Sequence, residues 1–191
     1  MTTKQLYQEL NQVDHSREKR LKYAHMVLAE PQLIPKLLEI LFIVDDTISC
    51  RAAWVFECIS INEITSILPH LEQFTTSLSR IYLDPAVRPV SKVCELLAKA
   101  LYNDNPEVRK ALLPIYQDRM IEACFDWLIN DEKVAPKAYA MTAFFHFGRD
   151  YDWIHPELKT IIERDYQIQS SGFKARARMI LNAIVKLDSK T

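Results

Sequence analysis

Glycine is almost absent from this chain, and this scarcity constrains its fold more than any other feature. Only 2 of the 191 residues are glycine, where average usage would give about 13. Glycine readily takes positive φ, which phosphate-binding loops, dinucleotide-binding fingerprints and tight β-hairpin turns require. The scarcity therefore argues against nucleotide-binding α/β folds and hairpin-rich β folds, and it favours helices joined by polar links.

The rest of the composition is that of a folded protein without a strong charge bias. Hydrophobic residues make up 49% and charged residues 26% of the chain, which is typical of globular proteins. The 24 Lys and Arg residues nearly balance the 25 Asp and Glu residues, for a formal net charge of -1. A dedicated nucleic-acid binder usually carries a basic excess. A protein or peptide partner is therefore favoured, and a nucleic-acid partner would need a local basic face.

The cysteines and the apolar stretches indicate where the protein works. Each cysteine lies in an apolar stretch and none belongs to a Cys-x-x-Cys pair; they are Cys50, Cys58, Cys94 and Cys124. This usage is typical of buried, reduced thiols, so we expect a cytoplasmic protein. The most apolar stretch, residues 34–44, contains Lys36 and Glu39 and is too short to cross a bilayer. No membrane partner is expected.

Apolar residues recur at helical spacing over residues 86–102. The stripe predicted to be buried consists of Val90, Val93, Cys94, Leu97 and Leu101. The charged residues predicted to lie on the exposed side of the same helix are Arg88, Lys92, Glu95 and Lys99. Glu95 and Lys99 are spaced to pair at i and i+4, as on a solvated helix face.

Six further segments favour helix. The last, residues 174–187, has a predicted buried stripe of Ala177, Ile180, Ile184 and Leu187. The others are residues 16–29, 31–44, 50–61, 118–129 and 134–147. Gly148 stands where a helix C-cap is expected, and Gly172 in a short link between two helices. No segment alternates as a strand would.

A proline recurs after an apolar pair, or after Ile-His, at intervals of 34, 45 and 42 residues; the four are Pro35, Pro69, Pro114 and Pro156. After each comes a polar link and then a helix with a basic residue near its start; these are Arg51, Arg88, Lys137 and Arg176. Two-helix repeats have periods in or near this range. One helix pair cannot bury its own apolar stripe, whereas stacked pairs share a continuous core.

Two segments carry a more specific pattern, one of them in a polar link and the other out of phase with the four links. Residues 84–88 read Asp-Pro-Ala-Val-Arg, and residues 103–109 read Asn-Asp-Asn-Pro-Glu-Val-Arg. Both resemble the HEAT pattern, in which an acidic or amide residue and a proline precede Val-Arg. The chain therefore resembles HEAT-like and armadillo-like repeat proteins. The resemblance implies one all-α domain over residues 1–191: an α-α superhelix, as a short right-handed solenoid of about five antiparallel helix pairs.

Such a solenoid implies a non-catalytic protein-interaction or scaffold module, because stacked helices present an extended surface. The residues we expect to bind the partner are those of the charged face, Arg88, Lys92, Glu95 and Lys99. Trp153 is a further candidate, since an exposed tryptophan is a natural contact residue. The alternatives are that the charged face is merely solvated and that Trp153 packs over a repeat junction.

Two enzyme families also bear comparison. In size and helix content the chain resembles the HEAT-like alkylpurine DNA glycosylases, which implies a basic concave groove where Trp, Asp and Arg contact a damaged nucleotide. The three tryptophans, Trp54, Trp127 and Trp153, do not align with that site. Short helical chains of this kind also resemble sequences labelled adenylosuccinate lyase. That superfamily carries a Ser-Ser-x-Met-Pro-x-Lys-x-Asn loop that is missing here, so a lyase is not expected.

No catalytic, cofactor-binding or metal-binding residue is predicted. The strongest metal candidates are His146, Asp150, Asp152 and His155, which crowd one short region. Their sequence reads as an ordinary connection between helices, and no His-Glu-x-x-His motif occurs. The nucleophile elbow Gly-x-Ser-x-Gly and the P-loop are likewise missing.

Overall fold

A computed structural model describes residues 1–189, and every regular element within this range is helical. The α-helices are α1 (Thr3–Leu10), α2 (Arg17–Ala29), α3 (Ile34–Leu41), α4 (Thr47–Asn62), α5 (Leu71–Thr76), α6 (Asp84–Tyr102), α7 (Pro106–Ala111), α8 (Pro114–Ile129), α9 (Val134–Phe147), α10 (Ile154–Asp165) and α11 (Ser171–Asp188). Short 3-10 helices cover Pro31–Leu33, Ile64–His70 and Leu78–Arg80. The prediction of an all-α chain is confirmed.

Five helices contact one another in the order of the sequence. Helix α2 packs on α4, α4 on α6, α6 on α9, and α9 on α11. We call these five helices the helix row. A second series runs beside it, in which α1 packs on α3, α3 on α5, and α5 on α8. The interior helices of the row are therefore covered on two sides by other members, and α6 lies against both α4 and α9. None of the described helices combines the length and the apolar character needed to cross a membrane.

The buried stripe predicted for α6 is confirmed, and that of α11 is confirmed except at Leu187, which is only half-buried. Val93 and Leu97 of α6 have no exposed surface, and Ile180 and Ile184 of α11 are buried. The spacing alone was sufficient here, because residues three and four apart share one face of a helix. The four cysteines are also buried, and none of them forms a disulfide.

The loop before α4 shows why some helix boundaries differ from those predicted. The helix expected over residues 31–44 is split into a 3-10 turn and α3, which ends at Leu41. Val44 has a φ of 56°, a conformation that no right-handed helix contains. Asp46 then caps α4, since its Oδ1 accepts a 2.9 Å hydrogen bond from the amide of Ile48. Helix α4 therefore begins at Thr47 and not at Cys50.

One of the two glycines lies where it was predicted, and the other does not. Gly148 does occupy the C-cap of α9, but its φ of -59° would suit any residue. Glycine is needed here because there is no room for a side chain: a Cβ atom at this position would lie 2.2 Å from Cδ2 of His155. Gly172 does not lie in a link: it is the second residue of α11, which is capped by the hydroxyl of Ser170. The predicted link at Gly172 is wrong, because this cap starts the helix earlier.

Helix α6 contains a proline in its interior, and a side chain from another helix compensates for it. Pro89 has no amide hydrogen, so it cannot donate to the carbonyl of Pro85, four residues earlier. Nε1 of Trp54, in α4, donates a 2.8 Å hydrogen bond to that same carbonyl. The contact between α4 and α6 therefore satisfies an acceptor that the sequence of α6 leaves open.

Candidate functional site

Glu95 lies in the middle of α6 and has no exposed surface. This corrects the expectation that it belongs to an exposed charged face. The face is covered in part because α6 is flanked by α4 and α9. Its three basic residues are half-buried: the side chains of Arg88, Lys92 and Lys99 retain 35%, 23% and 39% of their exposure.

Three cations surround the Glu95 carboxylate. Nζ of Lys92 lies 2.6 Å from Oε2, and Nζ of Lys99 lies 2.7 Å from Oε1. Nη1 of Arg176, in α11, lies 3.2 Å from Oε1 and also donates to Oγ1 of Thr142 at 2.7 Å. The Lys92 ammonium further sits 4.8 Å from the ring centre of Tyr139. We call Glu95 and its three cations the Glu95 cluster.

The surroundings of Glu95 keep it ionised. Burial alone would raise the pKa of this carboxyl, because the charged form loses its hydration. The hydrogen bonds and charges of Lys92 and Lys99 outweigh burial and hold the pKa below its ordinary value. Glu95 is therefore a fixed negative charge at neutral pH, and it positions the cations around it.

A second buried carboxylate is also surrounded by cations, on α4, the helix that packs against α6. Glu57 of α4 is 5% exposed. It receives a two-pronged contact from Arg88, with Nη1 at 3.2 Å from Oε1 and Nη2 at 2.8 Å from Oε2. Nη1 of Arg20, in α2, lies 3.9 Å from Oε2. The roles of Glu57 and Arg20 were not anticipated from the sequence. The available signal was a glutamate in an apolar helix. When Arg51 is aligned with Arg88, Glu57 falls one position before Glu95.

Together the two carboxylates anchor a surface that we call the cationic strip. It consists of Arg20, Arg88, Lys92, Lys99 and Arg176. Five cations on two carboxylates leave an excess of three positive charges among the groups of this strip. Because each cation is held in place and still partly exposed, binding an anion there costs little side-chain entropy. Guanidinium and ammonium groups in such positions bind carboxylates and phosphates.

Trp153 does not belong to this strip. It stands at the N-terminal end of α10 and is 51% exposed. The ring packs against Phe144 in a T-shaped arrangement, with ring centres 5.7 Å apart. The residue therefore contacts a buried side chain and still presents an aromatic surface to solvent, and its packing over a repeat junction stays a prediction.

The region of His146 is engaged in internal contacts. The Tyr102 ring stacks on His146 with centres 5.9 Å apart, and its hydroxyl donates to Oδ2 of Asp150 at 2.6 Å. Nε2 of His155 is 2.9 Å from the carbonyl of Phe145. No group of three or more His, Cys, Asp or Glu residues within residues 1–189 is placed to hold a metal ion.

Comparison with known proteins adds no evidence about this site. No protein-family model matches the sequence, and no curated protein or solved structure is significantly similar to the chain. Function must therefore be inferred from the cationic strip and from the arrangement of the helices.

Proposed function

We propose that this chain is a non-catalytic interaction module of the HEAT-like kind, which binds an acidic segment of a protein partner through the cationic strip. The fold we infer is a short right-handed α-α superhelix of about five helix pairs, as one domain over residues 1–191. The order of contacts supports it, since the helix row pairs successive helices and a second series runs alongside. In this fold the row supplies the second helix of each pair and forms one continuous surface.

The observation that carries the proposal is the excess of partly exposed cations over buried carboxylates along the row. Packed helices lie about 8–10 Å apart, so a strip that runs from α2 to α11 is much longer than a small anion. An extended segment with several carboxylates matches both its length and its charge. Glu57 and Glu95 are largely neutralised by their own cations, so they do not repel such a segment.

Nucleic acid is the second candidate, and the same cation excess favours it. A basic surface on a HEAT-like superhelix is what a glycosylase-type DNA-binding protein would need. The formal net charge of -1 weighs against it, because the long-range attraction and counterion release that drive DNA binding come from a basic excess. We therefore favour the acidic protein segment.

Fluorescence polarisation separates the two candidates. The probes are a fluorescein-labelled oligo-glutamate peptide and a fluorescein-labelled DNA duplex, each titrated at several salt concentrations. We expect the peptide to bind and the duplex to bind more weakly. Duplex binding that is tighter than peptide binding and falls steeply with salt would favour the nucleic-acid candidate. No binding of either probe at low salt would exclude the cationic strip as a site for anions.

The variant Arg20→Gln/Lys92→Gln tests the strip without unpairing either carboxylate. Glu57 keeps Arg88, and Glu95 keeps Lys99 and Arg176. We expect affinity for the peptide to fall about tenfold, because two cations are lost from the binding surface. Arg109→Gln/Lys110→Gln is the matched control, since it also removes two cations but lies on α7, outside the strip. Equal affinity of both variants and the wild type would contradict the proposal, provided that their melting temperatures agree.

A further inference from the structure

A cleft of about 270 Å³ lies beside Trp153, on the part of the surface formed by α8 and the start of α10. Four of its lining residues are aromatic or aliphatic, and two are acidic. The lining residues are Asp118, Ile121, Glu122, Phe125, Tyr151 and Trp153. None of these residues belongs to the cationic strip, so this is a separate feature of the molecule.

The aromatic walls are held in position from below. Phe144, which is fully buried, packs against Phe125 with ring centres 6.0 Å apart and against Trp153 at 5.7 Å. The Tyr151 hydroxyl donates a 2.9 Å hydrogen bond to Oδ1 of Asp118. The cleft is thus formed before any ligand arrives, and Trp153 keeps about half of its surface exposed.

The charge of the cleft is negative and uncompensated. No lysine or arginine lines it. Glu122 is exposed, and no ion pair to it is found in the part of the chain that the structure describes. The Asp118 carboxylate accepts a hydrogen bond from the Tyr151 phenol, which is a neutral group, so this contact brings no positive charge to the cleft. Aromatic faces beside carboxylates attract cations, because the ring quadrupole and the carboxylate act in the same direction.

We propose that this cleft binds the guanidinium group of an arginine side chain from a protein partner. The planar guanidinium can stack on the faces of Trp153 or Phe125 while its N–H donors reach the carboxylate of Glu122. The cleft holds about one side chain and is too small for a helix or a strand. The inference does not depend on the partner proposed for the cationic strip, because no residue is shared.

Nuclear magnetic resonance with two isosteric probes tests the charge requirement. The probes are N-acetyl-arginine amide and N-acetyl-citrulline amide, which have similar shapes but differ in charge. The reporter is the indole Nε1–H resonance of Trp153, assigned by its loss in Trp153→Phe. We expect the arginine probe to shift this resonance in a saturable manner. The citrulline probe should bind at least about fivefold more weakly.

Two further measurements make the result decisive. Glu122→Gln should weaken the arginine probe about fivefold, whereas Glu107→Gln, on α7 and outside the cleft, should leave it unchanged. Equal affinity for arginine, citrulline and N-acetyl-leucine amide would show an apolar pocket and overturn the assignment of a cation. No saturable shift up to roughly 100 mM of the arginine probe would overturn the site itself.

Discussion

Arg176 and Glu95 lie 81 positions apart in the chain, yet Nη1 of Arg176 is 3.2 Å from Oε1 of Glu95. Helix α9 contacts both of their helices, α11 and α6, and contributes the Thr142 hydroxyl to the same guanidinium nitrogen. One arginine therefore links three members of the helix row. Because the carboxylate it reaches is buried, this link should matter to stability more than an ordinary surface ion pair does.

Replacing Glu95 by glutamine should be strongly destabilising. The substitution keeps the shape of the side chain but leaves Lys92, Lys99 and Arg176 close together without their central charge. We expect a loss of about 2–4 kcal/mol in the free energy of unfolding, measured by urea denaturation at neutral pH. Glu122→Gln, at an exposed position, serves as control and should change it by no more than about 0.5 kcal/mol. A loss at Glu95 as small as that of the control would mean that the cluster does not stabilise the fold.

Truncation of Leu97 should cost more than truncation of Lys99, although both changes matter. Leu97→Ala should lower the free energy of unfolding by about 2–5 kcal/mol, because lost transfer energy and a cavity add together. Helical phase alone predicts no effect for Lys99→Ala, but its bond to the buried Glu95 changes this expectation. We expect a loss of about 1 kcal/mol, since Lys92 and Arg176 remain with the carboxylate. Equal losses for the two variants would show that the buried face of α6 is assigned wrongly.

The hydrogen bond from Trp54 to the carbonyl of Pro85 can be tested through Pro89. Trp54→Phe removes the donor and should lower the free energy of unfolding by about 1 kcal/mol beyond any loss of packing. Pro89→Ala restores an amide that can donate to the same carbonyl. The loss caused by Trp54→Phe should therefore shrink in a Pro89→Ala background, as thermal unfolding of the double-mutant cycle would show. If the two losses in the free energy of unfolding simply added, the Trp54 hydrogen bond would not compensate for the missing amide of Pro89.

Gly148 should tolerate no side chain while His155 is present. A Cβ atom would lie 2.2 Å from Cδ2 of His155, and this ring is held by the carbonyl of Phe145 and by stacking on the Phe145 ring. We expect Gly148→Ala to lower the free energy of unfolding by about 1–3 kcal/mol. In a His155→Ala background the same change should be close to neutral or favourable, because φ at this position already suits alanine. An unchanged loss in that background would exclude a clash with the ring as its cause.

His146 should make stability depend on pH in the mildly acidic range. Burial, together with the charges of Lys99 and Arg149, lowers its pKa to about 4, and its Nδ1 is buried without a hydrogen-bond partner in the described part of the chain. The ordinary value is about 6.5. Between these pH values the unfolded chain binds a proton that the folded chain does not. The stabilisation is therefore complete above about pH 6.5 and is lost as pH falls towards 4.

The measurement is the free energy of unfolding by urea across this pH range, compared with that of His146→Phe. The difference between the two curves should amount to at most about 3 kcal/mol. Burial also lowers the pKa of His70, so the wild-type curve contains a second contribution. Only the difference isolates His146, and parallel curves would show that this residue is not the source of the pH dependence.

Several features of this protein follow from local sequence. The scarcity of glycine indicated an all-α chain, and the apolar spacing predicted that Val93, Leu97, Ile180 and Ile184 are buried. Helix α9 has the bounds expected from its sequence. These properties are local, because helical spacing alone decides which residues share a face. The helix boundaries that shifted did so where a cap or a positive φ intervened, as at Asp46 and Val44.

The environment of the charged residues was decided by the tertiary structure. Spacing placed Glu95 opposite the apolar stripe of α6, but whether that side meets water depends on the neighbouring helices, and α9 covers it. Helical spacing relates Glu95 to Lys92 and Lys99 on its own helix. The other partners of Glu57 and Glu95 are Arg20, Arg88 and Arg176, which lie on other helices at distances along the chain that no periodicity relates. A buried carboxylate must be paired wherever its cations originate. The sequence therefore contained the charges of the cationic strip, and only the packing of the helices assembled them.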